Sequence, residues 1–293
     1  MDSLLSMLVL RKFNVILSRF NCPMEKKEAF KFTGEDAENY DFYLGPILFE
    51  PYARYLASKI DTTSVTAVLE VACGTGRVTR HIRKTLPADI KLTVTDISND
   101  MLNVAKRGLG KENIGFQAED AQNLSFADNS FDLVICQFGM MFLPDKKKGF
   151  QEIYRVLKPG GKFMFFTWDN TLNMPLFKLL VNDLVVPHFE YEDTTRFFVP
   201  FSLHRPKVLM DWMKNAGFKN IETDNVVLKS GSPTPQNIAD ALFRKHPLGR
   251  EISAKNPAAF GPVAIKFEQE IAIKFGTENP VVDLSAFLTT GIK

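Results

Sequence analysis

A small-residue turn and a carboxylate are the first residues in this chain that could do chemistry. The apolar run Val68–Val71 leads into Ala-Cys-Gly-Thr-Gly at 72–76, and Asp96 follows twenty residues later. Glycines let the backbone approach a ligand closely, and the start of a following helix offers free N–H groups at the positive end of its dipole. A carboxylate at the end of the next strand can accept hydrogen bonds from both hydroxyls of a ribose. This spacing predicts a nucleotide-binding β-α-β unit.

The turn also discriminates between classes of nucleotide. A dinucleotide fingerprint, G-x-G-x-x-G/A, counted from Gly74 would place its third glycine at residue 79, where this chain has Thr79. Counted from Ala72, the pattern is small-x-Gly-x-Gly, preceded by the acidic Glu70. A nicotinamide-dependent oxidoreductase is therefore disfavoured, although it stays open as an alternative.

Four further stretches follow in order along the chain. They are 92–98 (Leu-Thr-Val-Thr-Asp-Ile-Ser), 117–134 with its Asp120-Ala121 pair and its Phe-Asp-Leu-Val ending, 136–142 (Cys-Gln-Phe-Gly-Met-Met-Phe) and 154–161 (Tyr-Arg-Val-Leu-Lys-Pro-Gly-Gly). Each carboxylate also has a structural interpretation. Asp96 could cap a helix, although Ser98 is the better cap, and Asp120 could be a turn residue.

Together the five stretches resemble the class I S-adenosylmethionine-dependent methyltransferases over roughly residues 40–230. Within that class, the resemblance is to the small-molecule group that includes the ubiquinone and menaquinone biosynthesis C-methyltransferases. It implies S-adenosyl-L-methionine as co-substrate, with Asp96 at the ribose, Asp120 and Ala121 at the adenine, and Gln137 at the methionine part or the acceptor. The cofactor-binding residues implied are Glu70, Ala72, Cys73, Gly74, Gly76, Asp96, Ile97, Met101, Asp120, Ala121, Gln137 and Tyr43.

The chain departs from the family pattern at Ala72, where many members have glycine. Alanine fits if φ is negative there, so we expect only slightly tighter packing against the cofactor. A catalytically silent cofactor-binding protein stays open, because no indispensable catalytic side chain is known here. His188 and His204 are the candidates for a general base, but we assign none and expect surface or packing roles for both.

The acceptor is expected to be a small, flat or apolar molecule, methylated by in-line displacement at the sulfonium. The expectation rests on an aromatic segment after the last parallel strand, with Trp168, Phe189, Phe197 and Phe201. Together with helices around Tyr40 and Tyr43, residues 170–205 should form a lid over the cleft. No metal site is expected, since no His-rich or acidic constellation occurs.

Alternating apolar runs and helical patterns predict the elements that position these residues. Short apolar runs at 66–71, 91–95, 114–118, 131–137 and 161–168 alternate with helical patterns at 76–86, 99–107 and 146–157. This is typical of an α/β fold with a parallel sheet covered on both faces. The resemblance implies a Rossmann-like, doubly wound, seven-stranded sheet, mostly parallel, with helical lid insertions. Its sixth strand would be 220–229, and the antiparallel last strand, 284–292, would lie between strands five and six.

Length and charge bound the remaining possibilities. A chain of 293 residues is long enough for one large domain. The resemblance implies one methyltransferase domain over 24–293, with a cofactor-binding core at 60–169 and lid or insertion segments at 170–205 and 230–280. We interpret residues 1–23 as an upstream extension, with Met24 as the working start. The apolar run at 4–17 is too short to span a bilayer, and a peripheral amphipathic helix is the alternative for this segment. A net charge of +2 favours neither nucleic acid nor anionic membrane. Three unpaired-looking cysteines suggest a reducing cytoplasm. The oligomeric state is left open.

Overall fold

A computed structural model of the chain describes residues 34–63, 65–190, 194–231 and 233–293. The extension at 1–23 and the start at Met24 lie outside the described residues. Among the helices in these ranges, none combines the length and apolar character needed to cross a membrane.

A single sheet organises the fold, and seven strands form it within the described ranges. They are β1 Ala67–Val71, β2 Lys91–Asp96, β3 Ile114–Ala118, β4 Phe131–Gln137, β5 Leu157–Trp168, β6 Lys219–Lys229 and β7 Asp283–Ile292. Their order is β3-β2-β1-β4-β5-β7-β6. Strands β1 to β5 pair in parallel, whereas β7 is antiparallel to both β5 and β6. The predicted sheet, with its last strand inserted antiparallel between strands five and six, is confirmed.

Helices cover the sheet and its carboxyl edge. The α-helices are α1 Glu35–Asn39, α2 Glu50–Ser58, α3 Arg77–Thr85, α4 Asn99–Leu109, α5 Lys146–Val156, α6 Pro175–Phe177, α7 Pro206–Ala216, α8 Pro235–Ala239, α9 Pro247–Lys255 and α10 Pro257–Phe275. Wider π-helical turns lie at Tyr40–Phe49, Lys178–Val185 and Asp240–Arg244. Short 3₁₀ turns lie at Met140–Phe142, Thr171–Asn173, Val186–His188 and Thr195–Phe201.

Strand β5 shows how both faces of the sheet are buried. Successive side chains of a strand point to opposite faces. On one face, Phe165 packs against Phe150 of α5 with ring centroids 5.5 Å apart. On the other, Phe166 packs edge-on against Tyr52 of α2 at 5.0 Å. Because both faces are covered, the middle of the strand, residues 163–166 (Phe-Met-Phe-Phe), is continuously apolar rather than alternating, which is why it could be recognised from its sequence.

One local prediction was wrong. Pro46 and Pro51 interrupt the helical spacing of 36–60 in the sequence and predict two helices, yet helical backbone runs without a break from Glu35 to Ser58. Pro46 lies inside the π-helical segment. Pro51 lacks the N–H that would pair with the Ile47 carbonyl one turn earlier, and this carbonyl accepts the Gly231 N–H at 3.0 Å instead.

The Lys-Pro-Gly-Gly run is predicted to end a helix and to turn the chain into the next strand, and it follows the end of α5. Leu157 pairs with Phe131 and Lys162 with Leu133, so residues 158–161 loop out between these two pairs.

Candidate active site

The glycine turn lies between β1 and α3 and has an unusual backbone. Gly74 and Gly76 have φ of 56° and 76°, and Ala72 has φ of 53°. The expected negative φ at Ala72 was therefore wrong: this L-residue adopts the left-handed conformation at a cost of about 1–2 kcal/mol. A Cβ built on Gly74 would meet nothing within 4 Å among the described residues. The turn thus presents bare backbone toward open space.

Asp96 ends β2 and is held by the backbone on both sides. Its Oδ2 accepts the Gly74 N–H at 2.8 Å, and its Oδ1 accepts the Ser98 N–H at 2.9 Å. Burial raises the pKa of Asp96, and these two bonds oppose that rise. Ser98 itself caps α4 by accepting the Met101 N–H at 3.3 Å, as expected. Each Asp96 oxygen can accept further hydrogen bonds, so the carboxylate is fixed in direction yet retains capacity for a ligand's hydroxyls.

Glu70 lies directly beneath the turn and is almost completely buried, at 1% exposure. Thr79 Oγ1 donates to its Oε2 at 2.6 Å. Burial raises the pKa of Glu70 to about 8; the Thr79 bond opposes the rise and the nearby Asp96 charge adds to it. The threonine that breaks the dinucleotide pattern therefore has a structural partner, and the pair joins β1 to α3.

The pair Asp120-Ala121 follows β3 in a tight turn. Asp120 Oδ1 accepts the Gln122 N–H at 2.8 Å, and Gln122 Oε1 accepts the Asp145 N–H at 2.7 Å. Asp120 is therefore a turn residue in the structure, and its contact with adenine stays a prediction. Asp120 and Ala121 are both half-buried, beside the loop that starts α5.

Gln137 ends β4, the strand that pairs with β1. Its Nε2 donates to the carbonyl of Phe49 at 3.2 Å, while its Oε1 is buried without a hydrogen-bond partner in the part of the chain described. The next residue, Phe138, has φ of 58°. A Cβ on Gly139 would come within 2.5 Å of the Ala72 methyl. Two left-handed residues and an orphaned amide oxygen therefore meet where the strand order reverses, the place at which α/β sheets bind ligands.

The remaining predicted residues differ in exposure. Ile97 is 72% exposed at the end of β2, whereas Met101 and Cys73 are both 7% exposed. Cys73 and Cys136 are free and buried, consistent with small apolar packing residues. Ile97 is therefore the residue of this group with apolar surface available to a ligand.

Tyr40 and Tyr43 of the N-terminal helical run have different neighbours. Tyr43 accepts a hydrogen bond from Lys245, whose ammonium also lies 4.3 Å from the Tyr43 ring. It is Tyr40 that lies near Asp96: burial, with the Asp96 charge next in importance, raises the pKa of the Tyr40 phenol. Tyr40 also stacks on Phe49 at 4.9 Å. The cofactor contact of Tyr43 stays a prediction, and Tyr40 is a second candidate from the same helical run.

A separate polar cavity lies on the Lys245 side of this run. Its volume is about 410 Å³, and its lining residues are Glu35, Glu38, Asn39, Arg244, Lys245 and Arg250. Arg250 forms a double ion pair with Asp36, with both N–O distances 2.6 Å. The cavity is thus a charged space apart from the glycine turn.

The aromatic residues of the predicted lid are packed against other aromatic rings. Trp168 and Phe138 stack with ring centroids 3.7 Å apart, and Trp168, Phe197 and Phe201 are 2–4% exposed. Phe189 packs against Phe197 at 5.8 Å and is half-buried. In the described structure these rings are mainly core, because each has aromatic neighbours that exclude water.

The two histidines considered as bases also differ. His188 is exposed. His204 Nδ1 lies 2.7 Å from the carbonyl of Phe201, and burial lowers the pKa of the imidazole. Neither the exposure of His188 nor the contact of His204 identifies a general base. Across the ranges described, no three His, Cys, Asp or Glu side chains gather as they would around a metal ion.

Asp132 lies in the Phe-Asp-Leu-Val stretch, where the sequence predicts that it orders the loop before β4. In the structure its Oδ2 accepts the N–H groups of Thr66 and Ala67 at 2.9 Å each, and its Oδ1 lies 2.8 Å from Lys158 Nζ. Although partial burial opposes it, the bonds from Lys158 and Thr66 lower the pKa of Asp132 to about 2. The residue ties the start of β1 to the looped segment in β5.

Comparison with known proteins adds evidence at the level of family. Residues 68–161 match the model of a methyltransferase domain family. The demethylmenaquinone methyltransferase of Lactiplantibacillus plantarum is 31% identical over 188 residues, which are 58% of this chain and 77% of that protein. The ubiquinone/menaquinone biosynthesis C-methyltransferase UbiE of Geotalea daltonii is 32% identical over 49% of this chain and 64% of its own length.

Solved structures agree on the fold. The Bacillus subtilis YcgJ protein superposes with a TM-score of 0.53 at 19% identity, covering 82% of this chain and 97% of that one. Haemonchus contortus phosphoethanolamine N-methyltransferase 2, solved with phosphomonomethylethanolamine and S-adenosylhomocysteine, gives a TM-score of 0.54 at 20% identity, covering 88% and 57%. With the topology and the relatives' coverage, the conclusion follows that this chain belongs to the class I S-adenosylmethionine-dependent methyltransferases, in the group of the ubiquinone and menaquinone biosynthesis C-methyltransferases.

Proposed function

We propose that this enzyme transfers the methyl group of S-adenosylmethionine to a ring carbon of a reduced quinone, with the cofactor bound along the carboxyl edge of β1, β2 and β4. The observation that carries the site is the Asp96 carboxylate, held by the Gly74 and Ser98 amides beside an open glycine turn. The acceptor class rests on the names of the relatives, which refer to demethylmenaquinone and to ubiquinone and menaquinone.

The residues at this edge fit the proposed cofactor. Asp96 has unused acceptor capacity for two ribose hydroxyls, and the exposed Ile97 beside it offers an apolar surface for the adenine face. Asp120 and the Ala121 amide would recognise the adenine edge. The partnerless Oε1 of Gln137 suits a donor such as the methionine ammonium, since a buried oxygen without a partner costs about 1–3 kcal/mol.

The chain's contribution to the reaction is to position and to exclude water. When bound, S-adenosylmethionine supplies a methyl carbon already activated by a sulfonium leaving group. A reduced quinone is nucleophilic at an unsubstituted ring carbon, which would bond to this methyl as the sulfur–methyl bond breaks. The proton on that carbon would then pass to solvent, which leaves the methylated quinol and S-adenosylhomocysteine. Correct orientation of two reactants is worth several kcal/mol, on the order of 7–11 at best. The packed aromatic group around Trp168 and Phe138 would keep water from that side of the site.

The test begins with cofactor binding. S-adenosylmethionine, S-adenosylhomocysteine and NAD are compared by thermal unfolding of the wild type and of Asp96→Ala. A ligand at about a hundred times its Kd adds roughly 2.7 kcal/mol of stability, which raises Tm by several degrees. We expect a rise with the two sulfur nucleotides alone, lost in Asp96→Ala. A rise with NAD alone, or an unchanged response in Asp96→Ala, contradicts the proposed site.

The acceptor is tested with a matched pair of naphthoquinols reduced by dithionite: 1,4-naphthoquinol, whose ring carbons 2 and 3 are open, and 2,3-dimethyl-1,4-naphthoquinol. Both compounds retain their hydroxyls, so an oxygen methyltransferase has an acceptor atom in each. A carbon methyltransferase that acts at carbon 2 or 3 has an acceptor atom only in the first. We expect S-adenosylhomocysteine to form with the open ring and not with the blocked one. Equal turnover of both would identify oxygen as the acceptor atom. Turnover of neither, with cofactor binding intact, would overturn the quinol acceptor.

A further inference from the structure

One carboxylate joins the N-terminal helical run to the glycine turn. Asp41, in the π-helical segment Tyr40–Phe49, accepts the Thr75 hydroxyl at 2.8 Å. The same carboxylate accepts from Arg77 at 2.8 Å and from Arg80 at 3.2 Å. Thr75 belongs to the turn itself, and the two arginines lie in the first turns of α3. Three groups around the proposed cofactor site thus converge on a single side chain of another element.

The same run reaches the other two loops of the site. The N–H of Gly34 donates to Asp100 of α4 at 2.9 Å, and the carbonyl of Phe49 accepts from Gln137 at 3.2 Å. Tyr40 lies near Asp96, whose charge acts on its phenol. Residues 34–49 therefore lie across the carboxyl ends of β1, β2 and β4, and Asp41 holds the middle of this crossing.

The contact between Arg77 and Asp41 depends on close approach of the two elements. A Cβ on Gly45 would collide with the Arg77 guanidinium, so this guanidinium lies directly against the helical backbone. It also donates to the carbonyl of Asp41 at 2.6 Å and to Glu50 at 3.3 Å. The Arg77 and Asp41 side chains are 16% and 26% exposed. Ion pairs screened this far from water are stronger than exposed surface pairs.

We propose that Asp41 is a positioning residue that latches the run 34–49 over the bound S-adenosylmethionine and so slows its release. This inference rests on the proposed cofactor site. Release of a cofactor beneath this run requires the run to lift, which breaks the three side-chain contacts to Asp41 together. Removing the charge while keeping an oxygen for Thr75 weakens two of them and leaves the site residues unchanged.

The experiment measures S-adenosylmethionine release by stopped flow in Asp41→Asn. The matched control is Glu38→Gln on the same run, whose partner Arg107 is 63% exposed. Loss of about 1.4 kcal/mol of closure corresponds to roughly tenfold faster release, and we expect this for Asp41→Asn with Tm close to that of the wild type. Glu38→Gln should stay within about twofold, as exposed pairs contribute little. Arg80→Gln should accelerate release in the same direction but less.

The outcomes separate the latch from the site. Release from Asp41→Asn at the wild-type rate, while Asp96→Ala abolishes binding, overturns the latch and leaves the proposed function intact. Unchanged binding in Asp96→Ala overturns the proposed site. If Asp41→Asn does not fold, Arg80→Gln decides the question: faster release supports the latch, and an unchanged rate overturns it. Equal acceleration in Glu38→Gln would indicate general loosening of the run and would also overturn it.

Discussion

Two regions of this molecule, the cofactor half at 60–169 and the segment 170–205, are held in place by different forces. In the cofactor half, hydrogen bonds fix the proposed contact groups: backbone amides donate to Asp96 and Asp120, and the Thr79 hydroxyl donates to Glu70. In the segment 170–205, the side chains that were expected to form a lid are fixed by aromatic packing, as Phe177 on Phe201 at 5.0 Å illustrates.

This difference determines which residues can be exchanged in each region. Hydrogen bonds fix direction, so the cofactor half must keep particular residue types at particular positions. Aromatic packing fixes volume but tolerates exchange between apolar residues of similar size. A binding surface for an acceptor can therefore change more freely than the site for the shared methyl donor.

Trp168 lies where the two regions meet, since it ends β5 and its ring lies 6.5 Å from that of Phe177. Trp168→Ala gives the largest expected effect. The Trp168 ring is 4% exposed and stacks on Phe138, so truncation should lower the free energy of unfolding by about 3–5 kcal/mol. Urea unfolding measures this loss. Phe142→Ala, at a residue 39% exposed, is the control and should cost about 1 kcal/mol or less. A small loss in Trp168→Ala with a raised KM for the acceptor would instead make the ring part of an open pocket.

The sheet could be predicted from sequence because short apolar runs alternate with helical patterns along the chain. Fully buried parallel strands are continuous apolar runs, and the tips of β1 and β2 carry the glycine turn and Asp96. What sequence could not give was backbone conformation. The prolines at 46 and 51 were expected to break a helix, but a π-helical turn absorbed the first. A propensity argument weighs the α-helix against a break and does not include this third outcome.

The residues of the proposed site could be selected where they lie close to a motif in the sequence. Which side chain of a helix faces the site depends on tertiary contacts, which the sequence does not give. Tyr40 and Tyr43 are three residues apart in a π-helical segment, where successive side chains are separated by a different angle than in an α-helix, so helical periodicity could not distinguish them. Asp41 gave no signal at all, since a lone acidic residue in a helical pattern is usually solvated.

Glu70→Gln tests whether the buried pair beneath the turn titrates. Because the pKa of Glu70 in the folded state, about 8, lies above its ordinary value of 4.5, the folded protein keeps a proton that the unfolded chain releases. Stability contributed by this group is therefore present at low pH and is lost as pH rises from about 4.5 to about 8. Each unit of pKa difference corresponds to about 1.4 kcal/mol.

Glu70→Gln cannot ionise, so its stability should fall less than that of the wild type across this interval. The measurement is urea unfolding of both proteins at pH 5 and at pH 8. We expect Glu70→Gln to gain stability relative to the wild type by about 1–3 kcal/mol between these two values. Parallel profiles would mean that Glu70 is already ionised when folded, and that Thr79 solvates its charge.

Ala72→Gly gives the smallest expected effect, but its expected sign is opposite to that of an ordinary Ala→Gly substitution. Replacing alanine by glycine normally destabilises, because glycine loses more freedom on folding. At φ of 53°, however, alanine is strained and glycine is not, so we expect Ala72→Gly to gain about 0.5–1 kcal/mol. The control is Ala53→Gly in α2, a buried alanine with ordinary helical backbone, which should lose about 1 kcal/mol or more. Losses of similar size at both positions would show that the turn relaxes to negative φ in solution. A gain at Ala72 and a loss at Ala53 would show that the glycine turn stores backbone strain at Ala72.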